Sequence, residues 1–325
     1  MPRIPTRVIL DAYRHDRLLP LLLRECRSIN SAKNELRWLR ERAVSIAHSK
    51  STNRAATLLK SMCRARSRGV PLQYILSDQP FGELDILCKR GVLIPRADTE
   101  TFTSHAASLI SRDILKIGRP RDETPTAPLR IIDLCTGTGC ISLLLHALLA
   151  PRVQQMSIVG VDISATAINL ARRNLIHNVQ RGSLSDRAMT DITFRPENVL
   201  QDVSRSSVAM ESQQLNVVIS NPPYISTESF TDGTTTRSVR IPEDIFYYHI
   251  LSLSFNLKAG LVVLECGDRL QGRRVAALCN TLAQKYSRMD GLHVTVWPPA
   301  NQGLDGSPPE DIEPCIVILH RTGSN

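Results

Sequence analysis

The residues with the clearest chemical potential lie in VVISNPPYIST, residues 217–227, where β-branched residues end in an amide, two prolines and a tyrosine. Residues before a proline are driven toward extended backbone, and each proline fixes its own φ angle. Asn221 and Tyr224 are therefore held in a rigid loop. Pro222 and Pro223 have no N–H, so nearby backbone carbonyls stay available as acceptors. An amide oxygen and a carbonyl that converge on one point would hold an NH2 group, and Tyr224 could close over a planar substrate.

This acceptor pair suits methylation of a planar nitrogen. An amide or exocyclic amino nitrogen is a poor nucleophile because its lone pair is delocalised. Two acceptors that hold its N–H bonds aim the lone pair at an electrophilic carbon, and in-line placement at about 3 Å supplies much of the rate. An activated methyl donor needs no strong general base. The stretch predicts catalytic roles for Asn221, Pro222 and Tyr224.

A cofactor site is predicted upstream in IIDLCTGTGCISL, which has the pattern of a strand, a tight Gly-x-Gly turn and an apolar helix. Gly137 and Gly139 allow a sharp turn and close approach of backbone to a ligand. The helix that follows presents free N–H groups. Asp133 just before the turn and Thr136 within it belong to the same predicted site.

The next strand ends in Asp162, 23 residues after Gly139, where an acid can accept both ribose hydroxyls of an adenosine-bearing cofactor. NAD and S-adenosylmethionine both use this geometry. Ser142 in place of a third glycine, Asp133 before the turn and the Asn-Pro-Pro-Tyr stretch favour S-adenosylmethionine. Asn198, after the third strand, is expected to contact adenine, although an ordinary turn asparagine would give the same pattern.

These residues are carried by regular βα alternation over residues 129–325, which predicts an α/β fold with a doubly wound, mostly parallel sheet. Such an arrangement resembles the Rossmann-like sheet of class I S-adenosylmethionine methyltransferases, which is the fold we expect. Ligands bind there at the carboxyl ends of strands, so Asn221 borders both cofactor and substrate. The predicted strands are Ile131–Cys135, Ile158–Asp162, Ile192–Phe194, Val217–Ser220, Leu261–Glu265, His293–Val296 and Ile316–Leu319.

Three segments precede the sheet. Residues 1–29 form a candidate targeting segment, although they contain acids that transit peptides avoid. Residues 30–76 show three- and four-residue apolar spacing, which predicts a small helical domain. Residues 77–128 hold a predicted β-hairpin around Lys89-Arg90-Gly91, then a helix and a proline-rich linker over residues 117–129.

The net charge of +9 is concentrated at the N-terminus, because residues 1–70 hold 16 Lys and Arg against 5 Asp and Glu. Such a module indicates a polyanionic neighbour such as RNA, or a solvated helical face. No apolar run approaches the roughly 20 residues of a membrane span. The eight cysteines show no zinc spacing, so we expect buried reduced thiols, no metal and no disulfide framework.

Four stretches together resemble the protein-(glutamine-N5) methyltransferases that modify peptide-chain release factors. Asn-Pro-Pro-Tyr alone is insufficient, because adenine-N6, cytosine-N4 and some guanine-N2 nucleic-acid methyltransferases carry it too. LIPRADTE joined to an N-terminal helical module is more specific, and the resemblance covers about residues 30–320. The four stretches are PLQYIL (71–76), FGELDILCKRGVLIPRADTE (81–100), DLCTGTGC (133–140) and NPPYIS (221–226).

The resemblance implies a substrate and further site residues. The substrate would be the glutamine of a Gly-Gly-Gln loop, held by the Asn-Pro-Pro-Tyr motif while the N-terminal helical domain and hairpin grip the release factor. Arg96 and Glu100 would organise the wall beside the active site and bind substrate, or form a structural ion pair. Glu265 matches a strand-end glutamate of the family and is interpreted as structural. The chain departs from the family by a shortened segment between Arg240 and Pro242.

Serine-rich insertions and the N-terminal helical domain imply the mitochondrial, fungal-type eukaryotic member, with the cytoplasm as the alternative location. A monomer is expected because the family's active site is complete within one chain. Two other hypotheses stay open. The basic N-terminus suits a nucleic-acid exocyclic-amine methyltransferase acting on adenine N6 or guanine N2, although the aromatic content of 4% is low for stacking on bases. The shortened segment suits an inactive cofactor-binding relative.

Overall fold

A computed structural model describes residues 3–47, 52–114, 128–201, 215–223, 244–286, 291–299 and 313–321. The chain divides into two units, one of Met1–Gln79 with Leu87–Arg90 and one of Pro80–Ile86 with Gly91–Asn325. Tyr224, Arg240 and nearly all of the predicted linker lie outside the described residues.

The smaller unit is helical. Its helices are α1 Thr6–His15, α2 Leu19–Cys26, α3 Ile29–Ala47, α4 Thr52–Ser67 and α5 Leu72–Leu76. Leu36, Leu39 and Ala43 of α3 are buried as their spacing predicts. Leu19 and Leu22 of α2 are at most 1% exposed and join the same core. The helical unit therefore begins ahead of residue 30, because the apolar residues of the candidate targeting segment are packing residues here.

The β-hairpin lies earlier than the sequence predicted. Strands β1 Asp78–Phe81 and β2 Leu84–Leu87 pair, so the expected turn around Lys89-Arg90-Gly91 is wrong. Gly82 makes the turn with a φ of +58°, a conformation that glycine adopts without steric cost. A Cβ atom at Gly82 would also lie 2.8 Å from Leu144 Cδ1, so a larger residue there would require the Leu144 side chain to move.

The larger unit confirms the predicted α/β architecture. Its sheet has the order β5-β4-β3-β6-β7-β9-β8, in which β3 to β7 are parallel and β9 is antiparallel to β7 and β8. Helix α6 Ala97–Leu109 continues as a π-helix over Ile110–Ile114 ahead of the sheet. The following elements are β3 Leu129–Leu134, α7 Cys140–Leu149, β4 Met156–Asp162, α8 Ala165–Gln180, α9 Ala188–Asp191, β5 Ile192–Pro196, β6 Val217–Ser220, α10 Ile245–Asn256, β7 Leu261–Cys266, α11 Arg269–Lys285, β8 Leu292–Trp297 and β9 Cys315–Arg321.

Both faces of the sheet are covered. Ile131 of β3 and Val217 of β6 enter one apolar core together with α6, α7 and α8. Their neighbours Ile132 and Val218 enter a second core with α10 and α11. Burial on two faces explains why these strands are continuous apolar runs, without polar alternation.

The strand order reverses at β3, which pairs with β4 on one side and β6 on the other. The register aligns Leu134 with Val161 and with Ser220, and aligns Ser220 with Leu264. The carboxyl ends of four strands therefore finish level. Ligands bind at such a switch point in open α/β sheets.

Other predicted features concern cysteines, membranes and metals. All eight cysteines are free thiols. In the ranges that the structure describes, no helix has the length and apolar character to cross a membrane. Among the same residues, no group of three or more His, Cys, Asp and Glu is placed to hold a metal ion.

Candidate active site

The turn after β3 contains three residues in the left-handed region. Cys135 has a φ of 61°, Gly137 of 56° and Gly139 of 81°. Glycine adopts this region freely, whereas other L-residues pay roughly 1–2 kcal/mol. The sequence reasoning singled out the two glycines and missed that Cys135 occupies a third such position. The turn is closed by the Gly139 N–H, which donates to the Thr136 carbonyl at 2.8 Å.

The two glycines serve different purposes. A Cβ atom on Gly139 would lie 2.8 Å from Phe194 Cζ and 3.0 Å from Ala171 Cβ, so this glycine permits α7 and the turn to pack on the protein interior. A Cβ atom on Gly137 would meet no atom closer than 4.0 Å. Gly137 is therefore not required by packing, and its predicted role of letting a ligand approach the backbone stays a prediction.

Asp133 is fully buried beneath the turn. Its Oδ2 accepts hydrogen bonds from Thr136 Oγ1 at 2.6 Å and from Ser142 Oγ at 2.7 Å. Its Oδ1 is buried and has no hydrogen-bond partner within the described part of the chain. Burial raises the pKa of Asp133 to about 6, against these two hydrogen bonds. Ser142, where a dinucleotide fingerprint would have glycine, thus fixes the acid of the turn.

Asp162 ties the second strand to the same turn. Its Oδ2 accepts the Gly137 N–H at 3.0 Å and its Oδ1 accepts the Ser164 N–H at 2.8 Å. Helix α8 is capped by the Ser164 hydroxyl, so Asp162 is not its N-cap. Each carboxylate oxygen keeps a further lone pair that a ribose hydroxyl can use.

Ile163 is a feature that sequence reasoning missed. It follows Asp162 directly and is 70% exposed, the highest value among the large exposed apolar residues that the structure describes. An apolar side chain beside the acid predicted to bind ribose offers a surface for a planar base. The signal in the sequence was the position of Ile163 directly after Asp162, the acid that ends the strand.

Asn198 follows β5, at the carboxyl edge where it was predicted. Its Oδ1 accepts the Leu200 N–H at 3.0 Å, and its backbone carbonyl accepts the Gln201 N–H at 3.1 Å. The side chain therefore stabilises a local turn. Contact with adenine stays a prediction.

Asn221 lies next to Glu265 at the ends of β6 and β7. The Asn221 Nδ2 atom donates to Thr99 Oγ1 at 3.2 Å. The Thr99 hydroxyl in turn donates to Glu265 Oε1 at 3.0 Å. The Asn221 Oδ1 atom is buried and finds no partner among the residues that the structure describes. Pro222 is buried and Pro223 is exposed, so the diproline places the amide at the inner wall of the site.

Glu265 is 3% exposed. Burial raises its pKa to about 7, while hydrogen bonds from Thr99 and Asn221 and the charge of Arg96 act in the opposite direction. The sequence interpretation of Glu265 as structural was incomplete, because the structure brings this carboxyl to the candidate catalytic amide.

Arg96 and Glu100 stand at the start of α6. Arg96 is the exposed residue before the first helical position, and the Glu100 backbone N–H donates to its carbonyl at 3.2 Å. Both side chains lie near the helix end that carries Thr99. Their contact with a substrate stays a prediction.

The geometry fits S-adenosylmethionine. A side chain at Gly137 would meet no atom closer than 4.0 Å, and Asp162 has carboxylate oxygens that could accept ribose hydroxyls. Among the described residues, the buried Oδ1 atoms of Asp133 and of Asn221, which directly follows β6, have no hydrogen-bond partner and could accept from a ligand. This fold and this site define a class I methyltransferase.

Comparison with known proteins agrees with this class. Residues 123–241 match the methyltransferase small domain. The mitochondrial MRF1 N(5)-glutamine methyltransferase of Saccharomyces cerevisiae is 37% identical over 75% of this chain and 67% of its own length. The probable MRF1 mitochondrial N(5)-glutamine methyltransferase of Schizosaccharomyces pombe is 32% identical over 90% of this chain and 94% of its own length.

A bacterial relative, the release factor glutamine methyltransferase of Haemophilus influenzae, is 29% identical over 68% of this chain and 71% of its own length. Among solved structures, the METTL16 MTase domain aligns with a TM-score of 0.47 at 17% identity, over 81% of this chain and 82% of that one. The chain belongs to the family of release factor N5-glutamine methyltransferases. Its cofactor is S-adenosylmethionine.

Proposed function

We propose that this chain methylates the side-chain amide nitrogen of the glutamine in the Gly-Gly-Gln motif of a peptide-chain release factor, in mitochondria. One observation carries the proposal most directly. The Asn221 amide oxygen is a buried acceptor without a partner among the described residues, on the strand next to the cofactor turn. A buried acceptor of this kind costs about 1–3 kcal/mol unless a ligand satisfies it. A primary amide brings the matching N–H donor.

The reaction needs positioning more than acid–base catalysis. When bound, S-adenosylmethionine would supply a methyl group on a sulfonium sulfur, and the sulfur would keep the electron pair of the broken C–S bond as a neutral thioether. Asn221 Oδ1 accepts one N–H of the glutamine amide and the Pro222 carbonyl accepts the other. These two acceptors would aim the nitrogen lone pair at the methyl carbon. The methylated nitrogen loses one proton to solvent.

Other residues have supporting roles in this proposal. Tyr224 and Pro223 would pack on the planar amide and exclude water, while Asp162, Gly137 and Asp133 hold the cofactor. Ile163 and Asn198 would contact its adenine. Arg96 and Glu100 would bind the loop that carries the glutamine.

The helical unit is proposed to grip the release factor. It exposes many basic side chains and few acids, which favours a substrate surface of net negative charge. The yeast relatives are named as mitochondrial enzymes that act on MRF1, and this supports the mitochondrion as the location. The chain is proposed to act as a monomer, since cofactor and substrate residues lie in one unit.

The deciding test is transfer of labelled methyl from S-adenosylmethionine to a purified mitochondrial release factor. We expect label on the wild-type factor and none on its Gly-Gly-Ala version. Asn221→Ala in the enzyme should abolish transfer while cofactor binding, measured by calorimetry, stays within about threefold.

Two other results would replace the proposal. Salt-sensitive methylation of tRNA or DNA, without transfer to the factor, would identify a nucleic-acid exocyclic-amine methyltransferase, which the basic N-terminus favours. Cofactor binding with no transfer to either substrate would identify an inactive relative, disabled by the shortened segment after Arg240.

A further inference from the structure

Glu265, Thr99 and Asn221 form a hydrogen-bond chain in which the donor and the acceptor of each bond are defined. An ionised carboxylate can only accept hydrogen bonds. The Thr99 hydroxyl must then donate its single proton in the hydrogen bond to Glu265 Oε1, at 3.0 Å. Its remaining lone pair faces the Asn221 side chain at 3.2 Å, so only the NH2 end of that amide can occupy this position.

The consequence concerns the other end of the amide. With Nδ2 turned to Thr99, Asn221 Oδ1 must point away from α6, and this atom has no hydrogen-bond partner among the described residues. An amide turned the other way would present an N–H to the substrate N–H, which is repulsive. The arrangement of donors in the protein thus decides whether Asn221 accepts or donates.

We propose that Glu265, acting through Thr99 and through its own hydrogen bond from the Asn221 side chain, is a positioning residue that holds the Asn221 amide oxygen toward the nitrogen to be methylated. Neither residue touches the reacting atoms in this assignment. The inference rests on the proposed function, because it specifies how the acceptor for the substrate amide is oriented.

Burial supports this role over ordinary helix packing. Thr99 and Glu265 are each 3% exposed, so water does not compete for these hydrogen bonds and an unmatched member would be costly. Glu265 is also held by its backbone, since the Tyr247 hydroxyl donates to its carbonyl at 2.9 Å. A fixed carboxyl on β7 therefore sets the orientation of a fixed amide on β6.

The protonation state of Glu265 adds a pH dependence. Burial and the charge of Asp98 raise its pKa, whereas the hydrogen bonds and Arg96 lower it, giving a value of about 7. The Cys140 thiol of α7 also faces this charge, and its own pKa is raised to about 12, so it stays neutral. Protonated Glu265 can donate to Thr99, which frees the Thr99 hydroxyl to donate toward Asn221 and disfavours the productive amide orientation.

Three threonine variants test the hydrogen-bond chain from Glu265 to Asn221. Thr99→Val keeps the shape and removes the hydroxyl, while Thr99→Ser keeps the hydroxyl. Thr103→Val is the matched control. The Thr103 hydroxyl is buried on the same helix and donates to the Thr99 backbone carbonyl at 2.7 Å, so it is not part of the hydrogen-bond chain between Glu265 and Asn221. We expect kcat on the release factor to fall about 10²-fold in Thr99→Val, and to stay within about threefold in the other two. Binding of S-adenosylmethionine, measured by calorimetry, should stay unchanged in all three.

Glu265→Gln provides a second test, the pH dependence of kcat, which does not depend on how well Thr99→Val folds. In the wild type, kcat should decrease as the pH falls through about 7, because the ionised carboxylate is required. In Glu265→Gln the kcat should be low and flat across the same range. Labelling asparagine with ¹⁵N would show the same titration at the Asn221 side-chain NH2 signal in the wild-type protein without substrate.

The outcomes separate this inference from the proposed function. Wild-type transfer to the release factor, with Thr99→Val within threefold of it or an unchanged pH profile in Glu265→Gln, would overturn the positioning role and leave the proposed function intact. Absence of wild-type transfer to the factor would refute the proposed function itself. Loss of kcat in Thr99→Val with rescue in Thr99→Ser and normal cofactor binding would support the inference.

Discussion

The two glycines of the cofactor turn should differ when each is replaced by alanine. Both have positive φ, 56° for Gly137 and 81° for Gly139, so each alanine stores roughly 1–2 kcal/mol of backbone strain. Part of this, about 0.4–1 kcal/mol, is offset because alanine restricts the unfolded chain. Gly137→Ala adds nothing more, since its Cβ atom meets no atom closer than 4.0 Å. We expect the free energy of unfolding of Gly137→Ala to be about 1 kcal/mol lower than that of the wild type.

Gly139→Ala should cost more because of packing. Its Cβ atom would lie 2.8 Å from Phe194 Cζ, and this ring is 2% exposed. The ring also packs closely on Gly160, where a Cβ atom would lie 2.6 Å from Phe194 Cδ1, so little space is left for it to move. Overpacking of a core typically adds 1–3 kcal/mol. We expect a total loss of about 2–4 kcal/mol for Gly139→Ala.

Urea unfolding followed by tryptophan fluorescence can measure this difference. The chain has two tryptophans, and a Trp38→Phe background leaves Trp297 of β8 as the reporter of the larger unit. Gly139→Ala should show the lower midpoint with an unchanged slope. Gly137→Ala should instead lose most of the stabilisation that S-adenosylmethionine confers on the wild type. Equal midpoints for the two variants, or a lower one for Gly137→Ala, would refute the assignment of packing to one glycine and ligand approach to the other.

Three further predictions follow from the ionisable groups. Asp162→Asn should weaken S-adenosylmethionine binding by about tenfold or more in calorimetry, because its amide NH2 would face a backbone N–H in place of a carboxylate oxygen; an unchanged affinity would contradict the ribose role. The raised pKa of Asp133 means that the native state binds more protons than the unfolded one between pH 3.8 and about 6, so its contribution to stability is present at low pH and lost as the pH rises through that window. The urea midpoint of the wild type minus that of Asp133→Asn should therefore be smaller at pH 7 than at pH 4.5. If this difference does not change with pH, the carboxyl is not buried. Glu35→Gln should destabilise the smaller unit by about 1–3 kcal/mol, because Glu35 accepts two hydrogen bonds from Arg66, at 2.8 and 3.0 Å. The exposed control Glu41→Gln should change unfolding monitored in that unit by less than about 0.5 kcal/mol, and equal losses would show that burial adds nothing to the first pair.

The strands of the sheet were predictable because their signal is local. All seven predicted runs overlap observed strands. A strand buried on two faces, such as β6 or β7, needs only a short run of β-branched and aliphatic residues. The cofactor turn was also readable, since a left-handed turn before a helix calls for glycine at defined positions. The hairpin was misplaced because two glycine turns, at Gly82 and Gly91, compete within ten residues, and the pairing of β1 with β2 places the hairpin turn at Gly82.

Residues far apart in the chain met only through the fold. Thr99 and Glu265 are 166 positions apart, and Thr99 and Asn221 are 122 apart. No spacing rule links them, because the parallel register of β6 and β7 and the placement of α6 decide which side chains share the sheet edge. The apolar residues of α2 likewise join a helical core that their place in the sequence did not reveal, while a targeting role for residues 1–29 stays a prediction. The sequence alone determined the class of fold, the glycine turn after β3 and the position of the candidate catalytic amide, since each depends on neighbours along the chain. The tertiary structure decided which way that amide faces, because its hydrogen-bond partners come from distant elements.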